Sequence, residues 1–131
     1  GSEMCIRDRN VVMTQLGVSA DSIVMNVGSA AVGYGYEYVV STLDRIKAAA
    51  LSQDDKMLQM PIITPIASET WNVKEAMATE EESPEWGNQE VRGISMEIQT
   101  AAASLASGSD AVILKHPQSV ATISKMIQEL M

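Results

Sequence analysis

The sequence predicts an α/β fold in which parallel strands alternate with helices, read as the last three strand-helix units of a (β/α)8 TIM barrel with its helices outside. Three observations carry that expectation. From Ser22 onward, runs of strand length alternate with helix-length amphipathic segments in the order strand, helix, strand, helix, strand, helix. The strand runs are apolar on both faces, as a parallel sheet covered on both sides with right-handed crossovers requires. A helix tail with no strand before it opens the series, and three parallel strands alone make a poor domain. A barrel of about 250 residues or more is therefore expected, with an open doubly wound parallel sheet as the alternative.

Taken in order, "NVVMTQLGVSADS" reads as the end of a helix stopped near Gly17, and "SIVMNV" as a short buried strand. The glycine-tyrosine stretch "VGSAAVGYGYEYVV" follows. It leads into a helix with Val39, Leu43, Ile46 and Ala50 at helical spacing, from which Asp44, Arg45 and Lys47 turn away. "LQMPIITPIA" is the next strand, its ends marked by Pro61 and Pro65. Residues 68–88, with Trp71, Trp86 and the acidic run "ATEEESPEWGNQE", exceed the usual connection of about 2–6 residues, and such length suggests a function or a partner. The second helix offers Val91, Ile94, Ile98, Ala102 and Leu105 as its apolar stripe and stops at Gly108. "DAVILK" is the third strand. Pro117 opens the last helix, whose stripe is Val120, Ile123, Ile127 and Leu130.

The 131 residues carry a formal charge of −8 and are 46% hydrophobic, enough for the core of one domain. The acidic balance and scattered basic residues argue against a nucleic-acid partner. No apolar run approaches the roughly 18 residues of a membrane span, so a soluble protein without a membrane partner is expected. "GSEMCIRDR" has neither helical nor strand periodicity and lacks the apolar middle of a secretory signal. Met4 to Arg9 matches the translated end of a common transposase sequencing adapter, so residues 1–9 read as an artefact. Residues 10–131 then form the C-terminal part of one barrel domain whose earlier units are missing. Cys5 is the only cysteine, so a natural segment starting at Asn10 has no thiol for a disulfide, an iron–sulfur ligand or a nucleophile.

In either architecture ligands lie at the carboxyl ends of the strands, which selects Asn26 to Glu37, Thr64 to Glu90, and Lys115 to Pro117. At the first place, Gly28, Gly33 and Gly35 allow backbone amides close to a ligand, and a helix N-terminus follows. Gly28 and Gly33 have the spacing of a phosphate loop, but Tyr34 and Gly35 stand where Lys and Ser/Thr are needed, which excludes a nucleoside triphosphate. Tyrosines there either lie against a flat ligand or pack on neighbouring loops. The tryptophans are loop anchors or ligand contacts, and the glutamate run is a solvated surface or a docking patch. His116, the only histidine, rules out a two-histidine metal site and reads most simply as a helix-start residue. Lys115 meets either a carboxylate or amide edge of a ligand, or solvent.

From about Ser22 to the end, "GYGYEYVVSTLDRIKAAAL", "DDKMLQMPII", "ETWNVKEA", "SPEWGNQEVRGISMEIQTA" and "SGSDAVILKHPQSV" resemble the C-terminal part of the small (delta) subunit of the corrinoid iron–sulfur protein of the CO dehydrogenase/acetyl-CoA synthase system. The resemblance implies a barrel subunit paired with a large (gamma) subunit that carries the 4Fe-4S cluster and a corrinoid domain. It implies a cobalamin held between that domain and the barrel's loop face. A methyltransferase loads the cobalt from methyltetrahydrofolate or a methanogen pterin, and acetyl-CoA synthase receives the methyl group, in the Wood–Ljungdahl pathway of anaerobic cytoplasm. The subunit is then a non-catalytic binder with no metal ligand of its own. Its expected cofactor contacts are Asn26, Gly28, Ser29, Gly33, Tyr34, Gly35, Tyr36, Thr64, Lys115 and His116. Many relatives are expected to carry an Asp-Pro-Thr-like run after the first strand, where this sequence has Asn26-Val27-Gly28-Ser29. Two other readings stay open: a pterin-binding barrel methyltransferase, and an inactive truncated remnant.

Overall fold

A computed structural model describes residues 3–28 and 35–131. Helix α1 (Glu3–Gln15) comes first, so residues 3–9, which lack helical periodicity in sequence, are helical. Ile6 is buried in the core and the Arg7 Nε donates to Asp55 Oδ2 at 2.7 Å. The helix has ended by Gly17, as expected, and a 3₁₀ turn (Ala20–Ser22) leads into an extended segment. Helix α2 (Tyr36–Ser52), strand β1 (Ile63–Pro65), short helices α3 (Ile66–Thr70) and α4 (Lys74–Met77), helix α5 (Gln89–Ala106), strand β2 (Ala111–Ile113) and helix α6 (Pro117–Leu130) follow.

β1 and β2 pair in parallel, Ile63 opposite Ala111 and Pro65 opposite Ile113. "SIVMNV" joins them through one parallel bridge, Met25 to Ile62: Met25 N donates to Pro61 O at 2.8 Å, and Ile63 N to Met25 O at 2.8 Å. The three extended segments therefore lie side by side in chain order. Asp110 locks the register by accepting from Ile62 N at 2.9 Å and from Lys47 Nζ at 3.2 Å.

Among the described residues one face of the strands is covered. Side chains alternate across a sheet, and Ile23, Met25, Val27, Ile62 and Thr64 are buried on one side. On the other, Val24 is 56% and Ile113 47% exposed, and no described residue seals that face. Both core clusters lie on the covered side. One joins α1 and α2, through Ile6, Val39, Leu43, Ile46 and Ala50, to Met25 and Ile62; the other joins Ile66, Ala101 and Ile123 around Val112 and Leu114. The α2 stripe is thus as the sequence predicts, and full burial of a Leu or Ile such as Leu43 or Ile46 contributes about 1.5–3 kcal/mol.

Two stripes differ from expectation. On α5 Ile94 is buried and Ile98, Ala102 and Leu105 pack on the core as expected, but the inward face also takes in Gly93, Glu97, Thr100, Ala101 and Ser104, while Val91 is 59% exposed. The helix is turned because Glu97 has buried donors to meet, as the site geometry explains. On α6 only Ser119 and Ile123 are buried, while Val120, Ile127 and Leu130 face outward, where no described element packs on them. Gly108 does stop α5, at φ +117°, a conformation that side-chain-bearing residues rarely adopt, and Pro117 does open α6.

The long connection after β1 is ordered by hydrogen bonds rather than by length alone. Arg92 donates to the carbonyls of Glu75, Ala78 (2.8 Å) and Gly87 (3.4 Å), and Gln89 Nε2 donates to Met77 O at 3.0 Å. Glu80 Oε1 accepts from Asn88 Nδ2 at 2.6 Å, while Asn88 Oδ1 caps α5 by accepting from Val91 N at 3.0 Å. Arg92→Ala removes the fork that gathers these carbonyls. It is expected to raise cleavage between residues 75 and 85 by a glutamate-specific protease about tenfold, read by mass spectrometry.

Candidate functional site

The carboxyl ends of β1 and β2 converge on one buried carboxylate. α5 carries Glu97, which has no exposed surface. Its Oε2 accepts from Trp71 Nε1 at 2.9 Å and from Lys115 N at 2.8 Å, and its Oε1 accepts from His116 N at 3.0 Å. Burial pushes the carboxyl pKa up. The Ser119 hydroxyl beside it, the two amide N–H groups and the indole N–H outweigh burial and hold it below its ordinary 4.5. Ser119 Oγ acts at a geometry short of an ordinary hydrogen bond, so the three N–H donors define the anchor.

Trp71 is fixed from three sides. Its ring edge sits where a Cβ on Gly93 would be, its N–H is held by Glu97, and its face stacks on His116 with ring centroids 6.1 Å apart. Lys115 Nζ stands 5.2 Å from the Trp71 ring centroid. His116 uses both ring nitrogens. Nδ1 accepts from Gln118 N at 3.0 Å, capping α6, which assigns the neutral ring's proton to Nε2, 2.9 Å from Glu90 Oε1. The helix-start reading of His116 thus has a geometric basis.

Beside these groups opens a cleft of about 580 Å³, lined by Trp71, Met77, Glu90, Lys115, His116 and Pro117 among others. It offers a flat aromatic wall, an apolar floor, one ammonium and one imidazole-carboxylate pair. Among the described residues no group of three or more His, Cys, Asp or Glu side chains is placed to hold a metal ion. The arrangement binds and orients an edge that is part flat and part polar.

Of the expected contacts, Lys115 and His116 meet here. Asn26 and Gly28 lie apart, lining a groove against α1, where Asn26 Oδ1 accepts from Gly28 N at 2.8 Å. Gly35 caps the start of α2. Tyr36 sends its hydroxyl to within 3.4 Å of Ser107 Oγ, at the end of α5 before β2 begins, and does not line the cleft. Thr64 is fully buried with its hydroxyl 2.7 Å from Ser109 Oγ, so it ties β1 to the turn that precedes β2. Ser29, Gly33 and Tyr34 lie outside the described residues. Sequence reasoning missed Glu97, Glu90 and Met77 as members of the site. Glu97 was the one with a signal, since it falls in phase with Ile94 and Ala101 on a helix face that is otherwise apolar or small.

No described helix is long and apolar enough to cross a membrane. A family model, CO dehydrogenase/acetyl-CoA synthase delta subunit, matches residues 5–127. The chain is 35% identical over 124 residues to acetyl-CoA decarbonylase/synthase complex subunit delta 2 of Methanosarcina acetivorans, covering 91% of this chain and 28% of that protein. It is 31% identical over 122 residues to subunit delta of Archaeoglobus fulgidus, covering 91% and 26%, and 32% identical over 123 residues to subunit delta of Methanopyrus kandleri, covering 94% and 30%. The chain thus spans less than a third of the length of these relatives.

Proposed function

The chain belongs to the CO dehydrogenase/acetyl-CoA synthase delta subunit family, and on that premise we propose that it is the corrinoid-facing part of a methyl-carrier subunit in an acetyl-CoA decarbonylase/synthase complex. Family membership over nearly the whole chain carries the reading; the cleft where β1 and β2 end is its structural counterpart.

The architecture proposed is a TIM barrel. A doubly wound sheet has helices on both faces, whereas here the three extended segments run in chain order with every described core contact on one face. The apolar side chains left on the other face, Val24, Ile63, Ala111 and Ile113, suit a barrel interior filled by the strands of a longer chain.

The donor set fits a corrinoid edge without ligating its metal. Lys115 brings ammonium donors suited to peripheral amide groups, and Trp71 a flat apolar wall. His116, with both nitrogens engaged, holds α6 in place rather than offering a lone pair to cobalt. The loop holding Asn26, Gly28, Ser29, Gly33, Tyr34, Gly35 and Tyr36 is proposed as the second contact. When bound, the cobalamin supplies the methyl-carrying cobalt; this chain's residues shield it and orient it. The large (gamma) subunit, with the 4Fe-4S cluster, is the proposed partner, and the methyltransferase and acetyl-CoA synthase are the proposed donor and acceptor proteins, in the cytoplasm.

The full-length subunit assembled with its large subunit tests this. Lys115→Ala is expected to lower corrinoid retention on desalting, read by visible absorbance, at least about tenfold, the worth of one charge-assisted hydrogen bond of about 1.5–3 kcal/mol. Tyr34→Ala is expected to act in the same direction. Unchanged retention in both variants removes the assigned contacts. Saturable binding of methyltetrahydrofolate to the full-length subunit alone would replace the carrier reading with that of a pterin-binding methyltransferase.

A further inference from the structure

We propose that the groove on the outer side of α5 is a docking site for a basic, amphipathic helical segment of another protein. The groove measures about 510 Å³ and runs from Asn88 to Gln99, walled by Trp86 and floored by Val91 and Met96, with Glu75 at its margin. Three helical turns of α5, about 16 Å, therefore lie open alongside it.

Its apolar residues stand where a solvated helix face would be polar. Val91 is 59% and Trp86 37% exposed. Trp86 is held in place beforehand: the Arg92 guanidinium lies 5.8 Å and the Lys74 ammonium 6.0 Å from its ring centroid. Arg92 cannot leave that position freely, because it donates to three loop carbonyls. A fixed, half-exposed tryptophan beside an aliphatic floor is the type of anchor that dominates association, since little side-chain freedom remains to be lost.

Charge selects the occupant. Seven glutamates between Glu69 and Glu90 face two cations, Lys74 and Arg92, within residues 69–92, giving −5 of the chain's −8. Those two cations are turned onto Trp86, whereas Glu75 lies at the groove's margin and Glu85, next to Trp86 in the chain, is exposed. A second copy of this chain would bring the same charge to the contact and be repelled. A segment with lysines or arginines flanking an i, i+3, i+4, i+7 apolar stripe satisfies both the groove and its rim.

The test uses the full-length subunit and a fluorescent leucine-lysine peptide of about 14 residues with leucines at that spacing, followed by anisotropy. Saturable binding is expected, weakening as salt rises and falling at least about tenfold in Trp86→Ala and Val91→Asp. Val91→Asp is decisive because it removes the apolar floor while making the rim more acidic, and at an exposed position it leaves the fold intact, as circular dichroism would verify. Equal or tighter peptide binding by Val91→Asp overturns the proposal, as does equal binding of a leucine-glutamate peptide. So does a self-associated subunit that Val91→Asp dissociates, with a second copy as occupant. Absence of saturable binding overturns it as well, with the groove then covered by the rest of the full-length chain.

Discussion

Replacing Glu97 by leucine, behind the cleft, is expected to cost about 3 kcal/mol of folding free energy, measured by urea denaturation. The three N–H groups that end on its carboxylate come from Trp71, Lys115 and His116, and each buried donor left without an acceptor costs about 1–3 kcal/mol. The opposing term is the removal of a carboxylate from a buried place, which keeps the net near the lower end of the sum. Glu97→Gln separates shape from charge. One amide oxygen can serve Trp71 and Lys115, but the NH2 group then faces the His116 N–H, donor against donor, for an expected loss of about 1–3 kcal/mol.

The same carboxylate makes stability depend on acid. Its folded pKa lies below its ordinary 4.5, so the unfolded chain takes up the proton first as pH falls. The contribution is fully present above pH 4.5 and disappears as pH falls through the folded value. Denaturation midpoints of the natural sequence should therefore drop below pH 4.5 by more than those of Glu97→Gln. Parallel pH profiles would assign the anchor to some other group.

Glu97 also marks the boundary of what the sequence reveals. The α2 stripe, the stop at Gly108 and the start at Pro117 are legible because each depends on residues within a few positions of one another. Glu97 depends on amides 18 and 19 residues further on, and local spacing cannot carry that information. A lone acid in an amphipathic helix reads as solvent-facing, so the stripe drawn through Val91, Ile94, Ile98, Ala102 and Leu105 left out Glu97 and Ala101. The rule that ligand-binding groups gather where strands end selected Lys115 and His116, which meet at the cleft. It also selected Thr64, whose side chain alternates into the buried face, and Tyr36, whose length carries its hydroxyl to Ser107, away from that cleft.

The second large effect is expected at Gly93, where a single methyl group displaces an aromatic ring. A Cβ there would lie 2.2 Å from Trp71 Cζ3 and 2.5 Å from Cη2, far inside contact distance, against a ring that cannot slide while Glu97 holds its N–H and His116 stacks on its face. Gly93→Ala must push Trp71 out, breaking the indole hydrogen bond and the stack. Overpacking of about 1–3 kcal/mol and a charge-assisted bond of about 1.5–3 kcal/mol oppose a helix-propensity gain of about 1 kcal/mol, for a net loss of about 2 kcal/mol or more. The ring's movement should appear as a red shift in tryptophan emission that Trp86→Phe does not abolish. A double-mutant cycle gives the sharper outcome. In a Trp71→Ala background nothing remains for the new methyl to strike, so Gly93→Ala should there be stabilising by about 1 kcal/mol, a reversal of sign that general helix disruption would not produce.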